Sequence, residues 1–251
     1  MSFDTLAIIQ ARMNSSRLPG KVLMEVAGQP ILSHQIRRVE KSKSVKNIVI
    51  ATTISRSDDA IENLADRLGV GCFRGSESDV LSRFAGVARM VHADIYIRLT
   101  ADCPLIDAEI LDQVVTLLVN QSTKYDYASN VLKRTYPRGL DVEAFFGDTL
   151  FRLDRLAITK EDREHVTTYL RIRRPELFAC CSLEDEQDNS DLRWTLDAHL
   201  DFEVLSRIIN WMNLSDPYAP YKEILKFVRA HPELAQMNSD VHTWEPTQNN
   251  I

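Results

Sequence analysis

Arg12, Arg17 and Lys21 share one short irregular stretch, residues 10–21, directly behind an apolar run. Gln10, Ala11, Asn14, Ser15, Ser16, Pro19 and Gly20 break all periodicity there, so the stretch reads as a loop at the end of a strand. Small polar residues leave backbone N–H groups accessible, and Asn14 tolerates a left-handed conformation. Arginine grips phosphate through two parallel hydrogen bonds and lysine as a point charge. The loop therefore has the parts needed to grip a nucleoside triphosphate. Its spacing fits neither Gly-x-x-x-x-Gly-Lys-Ser/Thr nor Gly-x-Gly-x-x-Gly, so a P-loop and a dinucleotide site are both unsupported. Taken singly, each cation also reads as a surface charge, and Lys21 as a partner of Glu25.

Two aspartates stand at strand ends in the same way. Asp102 follows the apolar run 95–99, with Thr100 and Ala101 leading into it and Pro104 fixing the turn behind. Asp197 follows residues 193–196, which read as a short strand. Mg²⁺ is commonly held by one or two carboxylates, with waters and phosphates completing its shell, so this pair suits a shared ion beside a polyphosphate. Asp102 has the alternative reading of a turn or helix-cap residue before a helix at 107–121. Asp201 reads as an N-cap or first-turn residue of the helix that follows Asp197. No Ser-His-Asp order or histidine cluster is present, so no covalent enzyme intermediate is expected.

The elements that must position these groups alternate through the first half: strands at 5–10, 47–52, 71–74 and 95–99, helices at 31–41, 58–68 and 79–92. Alternation of this kind implies parallel strands with crossover helices, and ligands then bind beyond the carboxyl ends of the strands. Pro30 suits the first turn of one helix, while Ser57 and Gly69 suit the start and stop of the next. The second half is looser. Residues 125–129, 140–145 and 178–183 read as extended, and 149–157, 161–171, 205–212 and 221–230 as helical. The acidic run 184–191 reads as a solvated loop. A single domain over residues 1–235 with a polar tail at 236–251 is the expected organisation.

With 44% hydrophobic and 26% charged residues among 251, the chain has an ordinary globular balance, and no apolar run approaches the ~20 residues of a membrane span. A net charge of −6 argues against broad nucleic-acid affinity, so an anionic ligand must meet local positive charge. Cys72, Cys103, Cys180 and Cys181 lack Cys-x-x-Cys spacing and read as reduced, apolar side chains, the adjacent pair on opposite faces of a strand. Met1 to Thr5 carries no secretory pattern, and a cytoplasmic location is expected.

Residues 8–23, Arg98-Leu99-Thr100-Ala101-Asp102-Cys103-Pro104-Leu105-Ile106-Asp107 and Arg163-Glu164-His165-Val166-Thr167 resemble signatures of the cytidylyltransferases that activate sugars. The likeness is to the spore-coat-polysaccharide type and to relatives acting on acylneuraminate and 3-deoxy-manno-octulosonate. It runs from about residue 5 to about residue 230. One segment departs: where the family has Asp-Thr-Pro-Glu-Asp, this chain has Asp197-Ala198-His199-Leu200-Asp201.

The resemblance implies an α/β fold, a single Rossmann-like nucleotide-diphospho-sugar transferase domain with a mostly parallel sheet and helices on both faces. It implies transfer of CMP from CTP to an acidic or phosphorylated acceptor in surface polysaccharide or glycoconjugate synthesis, with Mg²⁺ on Asp102 and Asp197 and Arg12 and Lys21 on the triphosphate. Arg74, Gly75 and Ser76 are then candidates for the cytosine edge, though Ser76 also reads as a helix cap. Arg138, Arg163 and His165 are candidates for an acceptor anion, and Asp141 and Glu143 for its hydroxyls. Arg98 points at the same crevice or serves a structural ion pair, and His165 also reads as an ordinary core or surface histidine. Relatives often pair as homodimers. A glycosyltransferase is the rival enzyme, but its usual Asp-x-Asp is missing; a non-catalytic nucleotide-binding protein is the other rival.

Overall fold

Leu6 to Ile9 is apolar at every position because both faces of its strand are covered. Leu6 and Ile8 enter one core, Ala7 and Ile9 the other. The computed structural model describes residues 3–120, 124–214 and 218–241. The expected extent of the helix to 121 and the tail beyond 241 lie outside the described residues.

The strand β1 (Thr5–Gln10) is followed by a two-stranded hairpin, β2 (Glu25–Val26) and β3 (Gln29–Pro30), and by α1 (Ile31–Val39). Alternation continues through β4 (Asn47–Thr53), α2 (Asp59–Leu68), β5 (Gly71–Gly75), α3 (Val80–Met90), β6 (Ile95–Thr100) and α4 (Ala108–Asn120). The second half adds β7 (Tyr127–Ser129), β8 (Glu143–Phe146), α5 (Gly147–Leu156), α6 (Lys160–His165), β9 (Cys180–Ser182), α7 (His199–Trp211), α8 (Tyr221–Ala230) and α9 (Pro232–Met237). The sheet order is β5-β4-β1-β6-β8-β7-β9. Only β8 runs against its neighbours. Residues of α1, α2, α4, α7 and α8 pack on one face of the sheet and those of α3 and α5 on the other. The fold is the expected mostly parallel α/β sheet with helices on both faces. Among the described residues, no helix is long and apolar enough to cross a membrane.

Register brings the site together. Gln10 lies beside Ala51 and Thr100, so the loops after β1, β4 and β6 open at one edge. Because β8 is reversed, its first residue, Glu143, pairs with Arg98 and lies near that same edge.

Several local expectations differ from the structure. Ser57 does not cap α2; Asp58 stands there, its carboxylate turned back to Thr52 and Thr53. Ser76 does not cap α3, since Asp79 accepts the Ser82 N–H and Ser76 offers its carbonyl to Arg83. Residues 193–196 form no strand, only a single bridge between Arg138 and Arg193. The helix expected over 161–171 stops at His165, where Val166 takes φ 61° and Thr167 N–H bonds the His165 carbonyl at 2.6 Å. This three-residue γ-turn is a strained conformation for a β-branched residue and costs ~1–3 kcal/mol. Tyr169–Arg173 then continues as a π-helical turn. The start of the polar tail is part of the packed body: α9 runs to Met237, and Asn238 is buried. The four cysteines are free, Cys103 buried and the others half-buried, with Cys180 and Cys181 on opposite sheet faces.

Candidate active site

The cationic loop is held from below by a residue that sequence reasoning placed only at a helix start. Asp58 accepts the Met13 N–H at 2.9 Å as well as both Thr52 and Thr53 hydroxyls. Burial would raise its carboxyl, but these hydrogen bonds outweigh burial and hold it below the usual range. The Met13 carbonyl in turn accepts N–H groups from Ser15 and Gly20, and Gly20 makes the turn at φ 73°. The loop is thereby folded back so that Lys21 enters the crevice.

Lys21 Nζ donates to Asp102 Oδ2 at 2.6 Å, to Asp197 Oδ1 at 2.8 Å and to the Leu196 carbonyl at 2.6 Å. One ammonium thus touches both carboxylates, which are 95 positions apart in sequence by residue number (197 less 102). Glu25 is not its partner. Burial disfavours the Lys21 charge, but the two carboxylates more than compensate and raise its pKa. Burial likewise opposes the Asp102 charge, yet Lys21, with help from Thr100 and Cys103, pulls that carboxyl down to about 2. The two loops are also stitched by backbone: Leu196 N–H bonds the Asp102 carbonyl at 2.8 Å. Asp102 therefore belongs to the crevice rather than serving as a helix cap; Asp107 receives the first N–H groups of α4 instead.

Two hollows meet at this pair. A smaller one of about 210 Å³ lies under the cationic loop and is lined by Gln10, Ala11, Arg12, Ser15, Arg17 and Lys21, with Ala101 opposite. A larger one of about 590 Å³ lies toward β8 and the γ-turn. Thr100, Asp102 and Asp197 line both. Arg17 reaches Asp197 Oδ1 at 2.7 Å, and Arg12 lies 3.5 Å from Glu164. Beneath, buried Arg83 is pushed down to about 10 by burial and by the nearby Arg12 charge, which adds positive field under the loop.

The larger hollow has an arginine-rich wall. Arg98, Arg138, Asp141, Glu143 and His165 line it as expected from sequence, joined by Arg134 and Arg171, which were not singled out. Arg98 is both a crevice residue and an ion-pair member, bonded to Glu143 and to Gln10 Oε1. Tyr127 donates to Glu143 at 2.6 Å, and burial of this carboxylate is overcome by Arg98 and Arg171, so its pKa stays low. Arg134 grips Asp141 through two bonds, of 2.7 and 2.8 Å, which leaves Asp141 less open to a ligand hydroxyl than expected. Burial, and then the positive charge of Arg98 against the pull of Glu164, keep His165 below the usual imidazole pKa.

Five sequence candidates stand elsewhere. Arg74 bonds the Thr53 and Ser55 carbonyls and pairs with Asp59 and Glu62, so its guanidinium braces α2 against β5 instead of lining the crevice. Gly75 packs on the Arg83 stem, and Ser76 is exposed beyond it. Arg163 joins Asp79 to Asp154 and two carbonyls, a staple between α3, α5 and α6. Asn14 also leaves the hollow, its amide bonded to Glu77 at 3.2 Å. For Arg74, Arg163 and Asn14 the residue type suggested ligand binding, and a carboxylate on another element claimed it.

No cluster of three His, Cys, Asp or Glu among the described residues is arranged to hold a metal unaided. The Asp102 and Asp197 pair nevertheless fits Mg²⁺, because both carboxylates already converge on one cationic nitrogen and a Mg²⁺ site needs only one or two carboxylates beside phosphates.

Comparison with known proteins bears on the family and the fold. The family model described as cytidylyltransferase matches residues 6–212. The spore coat polysaccharide biosynthesis protein SpsF of Bacillus subtilis is 34% identical over 239 residues, covering 92% of this chain and 97% of that protein. A cytidylyltransferase structure from Leptospira borgpetersenii superposes with a TM-score of 0.86 at 31% identity, over 98% of this chain and 100% of that one. The fold alone is shared with a CMP:2-keto-3-deoxy-manno-octonic acid synthetase complexed with CTP, at TM-score 0.63 and 19% identity, over 83% of this chain and 99% of that one. The chain is a member of the cytidylyltransferase family.

Proposed function

We propose that this protein transfers the cytidylyl group of CTP to an acidic or phosphorylated acceptor, releasing pyrophosphate. The observation that carries the reading is the meeting of Asp102 and Asp197 on one cation, between a hollow edged by Arg12, Arg17 and Lys21 and a larger arginine-walled hollow. The first suits a triphosphate and the second an anionic acceptor. An acceptor oxygen forms the new bond to the α-phosphorus, and the bond from that phosphorus to the bridging oxygen breaks, its electron pair leaving with pyrophosphate. Arg12, Arg17 and Lys21 face the charge that builds on the departing group, so they stabilise the transition state more than the ground state. Asp102 and Asp197 would hold Mg²⁺, which when bound supplies Lewis-acid neutralisation of phosphate charge.

With its carboxyl drawn down to about 2, Asp102 is a poor proton acceptor at neutral pH. An acceptor that attacks through an already ionised carboxylate or phosphate oxygen needs no base. The name of the Bacillus subtilis relative supports a place in surface polysaccharide synthesis, and four free thiols fit a reducing cytoplasm.

The test is a pyrophosphate-release assay crossing four nucleoside triphosphates with sugar acids, sugar phosphates and small phosphorylated metabolites. Release is expected with CTP, Mg²⁺ and an anionic acceptor. Asp102→Asn should lower turnover by ~10²–10³-fold with the far-UV spectrum unchanged. Near-normal release by Asp102→Asn, or release confined to another nucleotide, refutes the reading.

A further inference from the structure

Asp197 presents its two oxygens to different surroundings. Oδ1 faces the crevice and contacts Lys21 and Arg17, whereas Oδ2 accepts from Arg193 Nη2 at 3.0 Å on the buried side. Arg193 is itself immobilised. Its Nε donates to Asp201 Oδ1 at 2.8 Å and its Nη2 to Asp201 Oδ2 at 3.1 Å. Asp201 is fully buried and also accepts the backbone N–H groups of Asp197 and Ala198, at 2.8 and 2.9 Å. Asn238, buried just past α9, closes the assembly: its amide donates to Asp201 Oδ1 at 2.8 Å and to the Arg193 carbonyl at 3.1 Å.

We propose that Arg193, held by Asp201 and Asn238, is a positioning residue that dedicates one Asp197 oxygen to the protein and the other to the crevice cation. This rests on the reading of Asp197 as a metal-holding carboxylate. Both the backbone and the side chain of Asp197 end on the Asp201–Arg193 pair, so rotating the carboxylate away would cost a buried charge-assisted bond and leave the guanidinium short of a partner. On the crevice side Oδ1 meets a half-exposed Arg17 and the ammonium of Lys21, which is buried at the head of a short 3-10 turn and is shared with Asp102 and the Leu196 carbonyl. Oδ1 can therefore exchange partners while Oδ2 stays fixed. Support of this kind behind a metal-holding group is worth ~10–100-fold in metal affinity. Asn238 lies beyond residue 212, where the family match ends, so the C-terminal segment contributes to the site.

The experiment measures Mn²⁺ binding by electron paramagnetic resonance, with saturating CTP, for the full chain and for Arg193→Lys and Asn238→Ala, with Asp197→Asn as control. A lysine supplies one ammonium in place of a fork and cannot serve Asp197 and both Asp201 oxygens together. We expect Mn²⁺ affinity to fall ~10–100-fold in Arg193→Lys and by a smaller factor in Asn238→Ala. The Mg²⁺ concentration for half-maximal pyrophosphate release should rise in parallel, with metal-free CTP affinity within about twofold of the parent. A lowered melting temperature with unchanged Mn²⁺ affinity in both variants overturns the proposal and leaves a purely structural clamp. If the parent protein binds Mn²⁺ with CTP but Asp197→Asn binds it equally well, the assignment of Asp197 fails and the proposal falls with it. If the parent releases no pyrophosphate, the functional reading itself is what fails.

Discussion

Replacing Lys21 by methionine keeps most of the unbranched side chain and removes the ammonium on which Asp102 and Asp197 converge. The Asp102 carboxyl lies at about 2 instead of 3.8, a shift in which burial pushes up and Lys21 pulls down harder. At ~1.4 kcal/mol per pKa unit, the Asp102 interactions contribute about 2 kcal/mol at neutral pH, with the cost of burying Asp102 already counted in the shift. The sign follows from linkage. A carboxyl whose folded pKa is depressed stabilises the protein above its unfolded pKa and loses that contribution as pH falls toward the folded value. Lys21 is raised above 10.5, so its share is present below that value and is lost at higher pH. The gap between parent and Lys21→Met should therefore be flat from about pH 5 to 10 and close between about pH 4 and 2. For a chain of this size, 2 kcal/mol corresponds to a fall in melting temperature of ~4–8 °C. Thermal unfolding at pH 7 and at pH 3, with carbon-13 NMR titration of the Asp102 carboxyl, measures both sides of the argument. Burial and the nearby Asp197 should lift Asp102 above 3.8 in the variant. An Asp102 that still titrates near 2, or a stability gap as wide at pH 3 as at pH 7, refutes the reasoning.

Arg12→Ala and Arg74→Ala separate the crevice cation from the structural one. The first should raise the KM for CTP by ~10–100-fold, the cost of one charge-assisted contact, while the second lowers the melting temperature and leaves that KM unchanged; steady-state kinetics and a thermal melt decide. Gly139→Ala should destabilise by about 2–3 kcal/mol and weaken the metal dependence of turnover, as read by denaturant unfolding and Mg²⁺ titration. Gly139 has φ 104°, and a Cβ there would sit 2.5 Å from the Trp194 carbonyl carbon, in the segment that delivers Asp197.

Much of the fold was legible because strands buried on both faces leave continuous apolar runs, and β1 begins and ends where its run does. Asp102, at the end of β6, was legible by the same logic. Asp197 lies beside Asp102 even though residues 193–196 pair by a single bridge, because the Asp102 carbonyl captures Leu196 and supplies the alignment that a ladder would have given. The turn at Val166 was hidden, since no glycine or proline marks it and tertiary contacts impose the strained φ. Arginines were the least readable. Arg74, Arg98, Arg163 and Arg193 look alike in sequence, and only the fold decides which meets a carboxylate behind the wall and which faces the crevice. Arg134, four residues before Arg138, was the signal that could have extended the expected arginine wall of the larger hollow.

The two sides of the crevice differ in how firmly their cations are held, and this has a consequence for selectivity. Arg12 and Arg17 are 37% and 51% exposed and make single ion pairs, so they can turn onto a triphosphate at little cost. Across the carboxylates, Arg134 is fixed by two bonds to Asp141, and Arg98 by Glu143, which Tyr127 braces in turn. A wall of guanidiniums already set in place favours an acceptor of matching charge geometry and penalises one that would need them to move. In the proposed reaction the donor side therefore adapts to its ligand, while discrimination among acceptors falls to the rigid side, where loosening Asp141 should broaden acceptor choice before it weakens the hold on CTP.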